Sequence, residues 1–317
     1  MSANSWQDFR SQAARAPARI VLADGDDDRV REAASKAQSQ KIAEPILLTS
    51  RSLKDKDRWV QVLLTLPKYK NLTRAEAESR VSDPLTLGCL MLREHEADGF
   101  IGGATRTTTD TLRAIFSIVG LSPTASTLFG FFMIEAKSGQ LVILADCAVI
   151  PDPSPKQLAQ VGIGAAQAYE FFTGSPAKVA FLSFSTKGSA EHPFVEKVRK
   201  AMEIAREKAP ALAIDGEWQA DAALDRFSAQ IKGVGNSPMA GQANVLVAPD
   251  LNCGNIAYKL VQRLGGCRAV GPVLWGTAQP ANDLSRGCLT EDVLDMMALT
   301  TLQVQKSNVL EKTAHAR

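Results

Sequence analysis

The chain alternates short apolar runs with longer amphipathic or charged stretches, which predicts strands and helices taking turns around a parallel sheet. RIVLADG, Arg19 to Gly25, reads as a buried strand ending in a turn at Asp24 and Gly25. Asp26, Asp27 and Asp28 then lead into RVREAASKAQSQ, a helix whose acidic start suits the positive end of its dipole. PILLTS, Pro45 to Ser50, is the next strand, and Leu53 to Arg80 is charged and helical in pattern, broken at Pro67. DGFIGGA, Asp98 to Ala104, runs from a strand into a glycine turn, and TTTDTLRAIFSIVG follows as a helix capped by threonines.

FGFFMIEA and QLVILADCAVI, joined by Lys137, Ser138 and Gly139, predict a hairpin. SPKQLAQVGIGAAQAYEFFTG is an amphipathic helix ending at Gly174. KVAFLSFS is a strand, and VEKVRKAMEIAREKAP is a helix stopped by Pro210. ANVLVAPD is a further buried strand, followed by a helix opening at Gly254 and Asn255, the strand AVGPVLWG and a terminal helix from Thr290 to Lys306. With no repeat and no Pro/Ser linker, any second domain is joined by short crossings.

A chain of 317 residues can bury a sizeable core, in one large domain or two smaller ones. Its 45% apolar and 22% charged content is ordinary for a soluble α/β protein. A net charge of +2 excludes a broad nucleic-acid footprint, so cations that matter should be local and serve a small anion. The opening MSANSWQDFRSQAARAPAR lacks the apolar core of a signal peptide, and no run reaches the ~18 apolar residues of a membrane span. A cytoplasmic protein with no membrane partner is expected. Cys89, Cys147, Cys253, Cys267 and Cys288 are odd in number and form no C-x-x-C pair. They read as reduced thiols, most simply small buried hydrophobes, and not as a disulfide frame. No cluster has the ligand spacing of a metal site.

Four segments concentrate chemistry where open parallel sheets place ligands. Gly102 to Arg113, GGATRTTTDTLR, offers backbone amides and hydroxyls to an anion, with Thr107 and Thr108 at the helix start. Helical spacing puts Arg113 on one face with Thr109 and Asp110, either lining a ligand site or simply solvated. Ser183 to Ser189, SFSTKGS, resembles a phosphate cradle around Ser185 without the spacing of a P-loop. Lys259 and Arg263 share a helix face that is either solvated surface or part of a site. Gly233 to Pro238 lacks the third glycine and preceding strand of a dinucleotide loop.

The fourth segment, PANDLSRGC from Pro280 to Cys288 with Glu291 and Asp292 beyond it, is the richest. Arg286 suits a phosphate or acyl phosphate, and Ser285 either a nucleophile or a donor to a developing oxyanion. Neither His95, His192 nor His315 falls in a triad motif, which disfavours a serine hydrolase. Asp292 is a candidate general base, a role compatible with stabilising a helix N-terminus beside Glu291.

Taken together, these segments resemble the phosphate acetyltransferase (phosphotransacetylase) family, collinearly over most of the chain. The resemblance is carried by ADGFIGGA, TT, DTLR, ADCAVIPDP, VAFLSFSTKGSA, IDGEWQADAA, ANVLVAPDL, GNIAYKLVQR and NDLSRGC. The opening RAPARIVLADG looks like the compact ethanolamine-utilisation members. The resemblance implies reversible transfer of an acetyl group between coenzyme A and phosphate by a homodimer, with coenzyme A, phosphate and acetyl phosphate as its partners and no bound cofactor or metal. It implies a two-domain, three-layer α/β/α subunit similar to the isocitrate and isopropylmalate dehydrogenases. One domain would take residues 1–124 with 272–317 and the other 125–271, with the site in the cleft between. Asp292 would take the coenzyme A thiol proton, Ser285 would hydrogen-bond the reacting carbonyl or thiol, and Arg286 would stabilise the tetrahedral intermediate. Arg113 and Arg263 match arginines that bind phosphate or coenzyme A; Thr107, Thr108, Ser185, Lys259 and Asn282 complete the expected substrate-binding set.

Four departures bear on substrate preference. Pro67 stands where many members have arginine, Arg106 where histidine is frequent, Trp275 where glutamine is usual and Gln279 where lysine is usual. Rival readings are a phosphate acyltransferase for propionyl or butyryl groups and a non-catalytic acetyl-CoA-binding regulatory domain. The reading as an NAD-dependent dehydrogenase of the related fold fails because the chain lacks both a nucleotide fingerprint and metal-binding aspartates.

Overall fold

The computed structural model describes residues 5–52 and 54–315, and side chains up to residue 306. Leu53, at the head of the predicted charged helical stretch, and Met1 to Asn4 of the opening segment lie outside the described residues. The chain divides into two compact units: a split unit, Trp6–Ala125 with Gly276–Arg317, and an inserted unit, Ser126–Trp275.

The split unit opens with α1 (Trp6–Ala13), a short helix burying Trp6, Phe9 and Ala13. Strand β1 (Arg19–Leu22) is buried after its first residue. Asp27 caps α2 (Asp28–Ser39) by accepting the Arg29 amide at 2.9 Å, and Val30, Ala33, Ala34 and Ala37 form its buried stripe. After β2 (Glu44–Leu47), helices α3 (Lys56–Thr65) and α4 (Arg74–Val81) lie either side of Pro67, the second opened by a Thr73/Glu76 capping box. Helix α5 (Pro84–Arg93) starts on proline, and β3 (Gly99–Gly102) is buried throughout. Thr107 caps α6 (Thr108–Ile118).

The inserted unit begins with the expected hairpin, β4 (Phe129–Glu135) antiparallel to β5 (Leu141–Ala145), turned at Gly139 with φ +84°. Helix α7 (Pro155–Thr173) runs from a Ser154/Gln157 capping box to Gly174, whose φ of +68° is the left-handed stop glycine supplies. Then come β6 (Lys178–Leu182), α8 (Pro193–Lys208), β7 (Ala213–Trp218), α9 (Ala220–Leu224), α10 (Arg226–Ile231) and β8 (Val245–Val247). Helix α11 (Leu251–Arg263) and β9 (Arg268–Trp275) complete it. The chain returns to the split unit through β10 (Ala281–Asp283) and α12 (Thr290–His315).

The split unit's sheet has the order β10-β3-β1-β2 and is parallel throughout. Helices α5 and α12 each pack on β1 and β3. The inserted unit's sheet, β7-β6-β8-β5-β4-β9, is mixed: the tight hairpin makes β4 run against β5, and β4 also pairs antiparallel with β9. The expected mixture of helices layered on parallel strands is present in both units. Two details differ from the sequence reading. Helix α11 starts at Leu251, not Gly254, because the Asp250 side chain accepts the Cys253 amide at 2.9 Å and so caps it earlier. Strand β7, in the IDGEW stretch, escaped the hydrophobic pattern because it buries two carboxylates. Asp215 meets Arg206 at 2.7 Å and also pairs with Lys187, while Glu217 meets Arg199 at 2.9 Å. Among the described residues no helix is long and apolar enough to cross a membrane.

Candidate active site

The parallel order of the split sheet brings the loops after β1, β3 and β10 side by side, so Asp24, Gly103 to Thr107 and Leu284 to Cys288 gather at the carboxyl ends of its strands. Asp24 ties the first two together: its carboxylate accepts the Ala104 amide at 3.0 Å, the Thr105 amide at 3.1 Å and the Thr105 hydroxyl. Leu284 donates its amide to the Gly102 carbonyl at 2.7 Å, which continues the β10–β3 pairing into the loops. A pocket of about 390 Å³ opens beside them, between the segments after β1, β2 and β3 and the start of α5, lined in part by Asp24, Asp26, Asp27, Ser50, Thr105 and Arg106.

The SRGC segment folds as a tight turn in which the Cys288 amide reaches the Ser285 carbonyl at 2.9 Å. Ser285 is half-buried and its Oγ accepts the Gly287 amide at 3.4 Å, while the Arg286 guanidinium is exposed. Asp292 lies in the first turn of α12, 9% exposed, and accepts the Leu289 amide at 2.8 Å. A carboxylate in that position satisfies an orphan donor of the helix start and is held in one orientation by it. Neighbouring Glu291 serves the scaffold, meeting Arg10 at 2.8 Å and Lys36 at 2.9 Å.

Other expected substrate residues of the split unit are distributed around these loops. Arg113 is exposed on α6, 3.2 Å from Asp110. The Thr107 hydroxyl caps α6, accepting the Asp110 amide at 3.2 Å and donating to its carboxylate at 2.7 Å. Asn282 is fully buried and donates to Thr300 Oγ1 at 2.8 Å and Gln303 Oε1 at 2.7 Å, so it pins β10 to α12. Next to it, Asp283 is fully buried, and among the described residues no donor meets hydrogen-bond geometry at either oxygen. Burial pushes its carboxyl up to about 7, against the opposing pull of Thr108, Thr111 and the Leu284 amide. Gly103, at φ +104°, lets the backbone pass this carboxylate: a Cβ there would stand 2.0 Å from Asp283 Oδ1.

Ser185, Lys259 and Arg263 belong to the inserted unit. Ser185 is fully buried, donating to Glu217 at 2.8 Å and accepting the Ala190 amide at 3.1 Å, so its hydroxyl is committed to shaping its loop. Burial would raise Glu217, but the Arg199 fork, the Gly188 amide and Ser185 outweigh it and hold the carboxyl at about 2. Lys259 and Arg263 are exposed on α11, and Lys259 Nζ donates to Asn255 at 2.6 Å. Trp275 stands edge-on to Phe171 and Phe172 of α7, with centroids 5.2 and 6.4 Å away. Its indole is therefore taken up in the packing of its own unit. Gln279 is similarly occupied, donating to the Leu92 carbonyl at 2.9 Å. Lys68, beside Pro67, reaches Ser117 on α6 at 2.6 Å. Among the described residues no group of three or more His, Cys, Asp or Glu side chains is placed to hold a metal.

The sequence pattern missed Asp283 and Arg29. Nothing in DDDRV distinguishes Arg29 from a solvated arginine, yet it donates to the Arg286 and Cys288 carbonyls at 2.9 and 2.8 Å. For Asp283 the signal was present, a carboxylate between the apolar and polar parts of PANDLSRGC, but its burial was not legible.

The family model described as "Phosphate acetyl/butaryl transferase" matches residues 6–301. The phosphate acetyltransferase of Thermoanaerobacterium thermosaccharolyticum is 44% identical over 254 residues, covering 78% of this chain and 77% of that protein. Among solved structures, a phosphotransacetylase from Streptococcus pyogenes superposes with a TM-score of 0.85 at 34% identity, covering 96% of this chain and 100% of that one. The EutD phosphotransacetylase from Staphylococcus aureus gives 0.80 at 34% identity, with 95% and 100% covered. With the matching loops assembled at the carboxyl ends of one sheet's strands and the family model spanning nearly the whole chain, this protein belongs to the phosphate acetyl/butaryl transferase family.

Proposed function

We propose that the split unit's strand-end loops carry out reversible acetyl transfer between coenzyme A and phosphate, with Asp292, Ser285 and Arg286 as catalytic residues. The observation that carries this reading is the SRGC turn set against the first turn of α12, with the Asp292 carboxylate oriented by the Leu289 amide. Asp292 takes the thiol proton of coenzyme A. With a pKa of about 8.5 a thiol is mostly protonated at neutral pH, so a nearby base raises the reactive thiolate fraction. The sulfur attacks the acetyl phosphate carbonyl carbon and forms the C–S bond, the C–O bond to phosphate breaks, and phosphate leaves with that electron pair. Ser285 and Arg286 donate to the oxygen that becomes negative in between. No acyl-enzyme is needed, and coenzyme A is a substrate, not a resident group.

Arg113, Lys259 and Arg263, exposed cations, are assigned to the anionic groups of the substrates. Thr107, Thr108, Ser185 and Asn282 act by shaping the loops; the internal bonds of Thr107, Ser185 and Asn282 support that division. Five unbridged cysteines suit a reducing, cytoplasmic setting.

Thiol release from acetyl-CoA that requires inorganic phosphate is the test. Turnover independent of phosphate, or none at any phosphate concentration, overturns the reading in favour of an acetyl-CoA-binding regulatory module. Asp292→Asn should lower kcat by about 10²- to 10⁴-fold, and Ser285→Ala or Arg286→Ala by about 10²- to 10³-fold. Acetyl preference is tested by a chain-length series: butyryl-CoA turned over with equal or higher kcat/KM refutes it.

A further inference from the structure

We propose that Arg29 is a positioning residue for the SRGC turn, holding its backbone in the geometry that acetyl transfer uses; this rests on the reading above. All five guanidinium N–H donors are engaged. Nε and one Nη2 donor go to the two Asp27 carboxylate oxygens at 3.0 and 2.8 Å. The second Nη2 donor reaches the Ala104 carbonyl at 3.0 Å. Both Nη1 donors are given to the SRGC turn, to the carbonyls of Arg286 at 2.9 Å and Cys288 at 2.8 Å. One planar group thus fastens the loops after β1, β3 and β10 to each other.

The chemistry of the contacts separates positioning from ligand binding. Asp27 neutralises the guanidinium and fixes its plane through a bidentate fork. With each N–H already donated, none is left over for a phosphate. The two carbonyls it grips flank Gly287, the residue of the turn with the greatest backbone freedom. Without the grip, the Arg286–Gly287 and Cys288–Leu289 peptide units can rotate, and Ser285 and Arg286 move with them. A lysine offers three donors from a single point and cannot bridge a carboxylate and three carbonyls in one plane. A displacement of about 1 Å at reacting groups is enough to cost ~10²-fold in rate.

The experiment measures phosphate-dependent thiol release by the wild-type chain, Arg29→Ala, Arg29→Lys and, as a control, Arg31→Ala. Arg31 lies on the same helix, with half its side chain exposed, and pairs with exposed Asp28 and the Asp26 carbonyl, away from the SRGC turn. Arg29→Ala and Arg29→Lys should each lose about 10²-fold in kcat with KM for both substrates within a few-fold, while Arg31→Ala keeps wild-type kinetics. Guanidinium ion at millimolar concentration should restore at least tenfold of the Arg29→Ala loss, and sodium chloride or methylammonium at equal concentration should not. A merely structural arginine would lower the active fraction without selective rescue. Wild-type kcat in either Arg29 variant, a loss confined to KM, or a folded Arg29→Ala that guanidinium does not restore each overturns the proposal. Should Arg29→Ala not fold, the kcat-against-KM split of Arg29→Lys decides. An inactive wild-type chain refutes the acetyl-transfer reading itself, and is thereby distinct from failure of the Arg29 proposal.

Discussion

Asp283 and Asp292 stand close together in sequence, yet the fold treats their carboxylates in opposite ways. Asp292 receives a backbone amide at the start of a helix, whereas Asp283 is buried against the Gly103 backbone, where Thr108, Thr111 and the Leu284 amide only partly offset its burial and Asp24 is a charged group facing it. An unfolded aspartate titrates near 3.9, and burial raises Asp283 to about 7 in the fold. Between those values the folded chain keeps a proton that the unfolded chain has lost. Its contribution is therefore fully present below about pH 4, is lost as pH rises to about 7, and is level above that. The loss is on the order of 4 kcal/mol. Asp283→Asn should flatten this slope, which denaturant titrations at pH 5 and pH 7.5 would measure. Equal pH dependence in the variant and the wild type would sink the assignment. The sequence made Ser285, Arg286 and Asp292 stand out as candidates because their residue types are chemically distinctive in that order. Arg29 and Asp283 were not legible, because clamping and burial depend on which loops meet.

At the scale of the element, two effects compete in helix α7. Gly162 and Gly164 sit inside it, where helix propensity favours alanine by about 1 kcal/mol. Packing decides otherwise: a Cβ at Gly162 would lie 2.4 Å from Phe181 Cζ, and one at Gly164 would lie 2.6 Å from Phe129 Cε1. Both rings are buried in the core with little room to yield. Gly162→Ala should therefore destabilise the inserted unit by about 1–3 kcal/mol, and a higher melting temperature would show that propensity wins. The same contest explains which elements the sequence displayed. Helices α2, α6 and α7 carried caps and periodic apolar positions, and the β4–β5 hairpin carried its turn glycine. Strand β7 did not, because Asp215 and Glu217 interrupt its apolar run and are stabilised by cations, hydroxyls and an amide from other segments. Helix α1 and strand β10 are too short for their periodicity to stand out, and their stability comes from what they pack on.

The catalytic candidates lie in the split unit, while the three most exposed large apolar side chains among the described residues lie in the inserted unit. Phe227, Ile231 and Leu264 of the inserted unit are 68, 73 and 83% exposed, large apolar side chains uncovered in a single chain. They support a proposed homodimer, for which light scattering at micromolar concentration should give twice the chain mass. Phe227→Glu with Ile231→Glu should shift it toward the monomer if α10 is part of the contact, and a wild-type monomer at that concentration would refute the dimer. By itself the sequence determined the alternation of strands and helices, the hairpin, the helix caps and the family with its acetyl-transfer chemistry. Those properties follow from local spacing and from residue types whose order is specific. Only the tertiary structure decided that β10 joins β3, that Asn282 and Ser185 turn inward, and that Arg29 closes on the turn bearing Ser285 and Arg286. Each of these is a meeting between residues far apart along the chain. It is set by burial and by the pairing of polar groups, which a linear pattern does not contain.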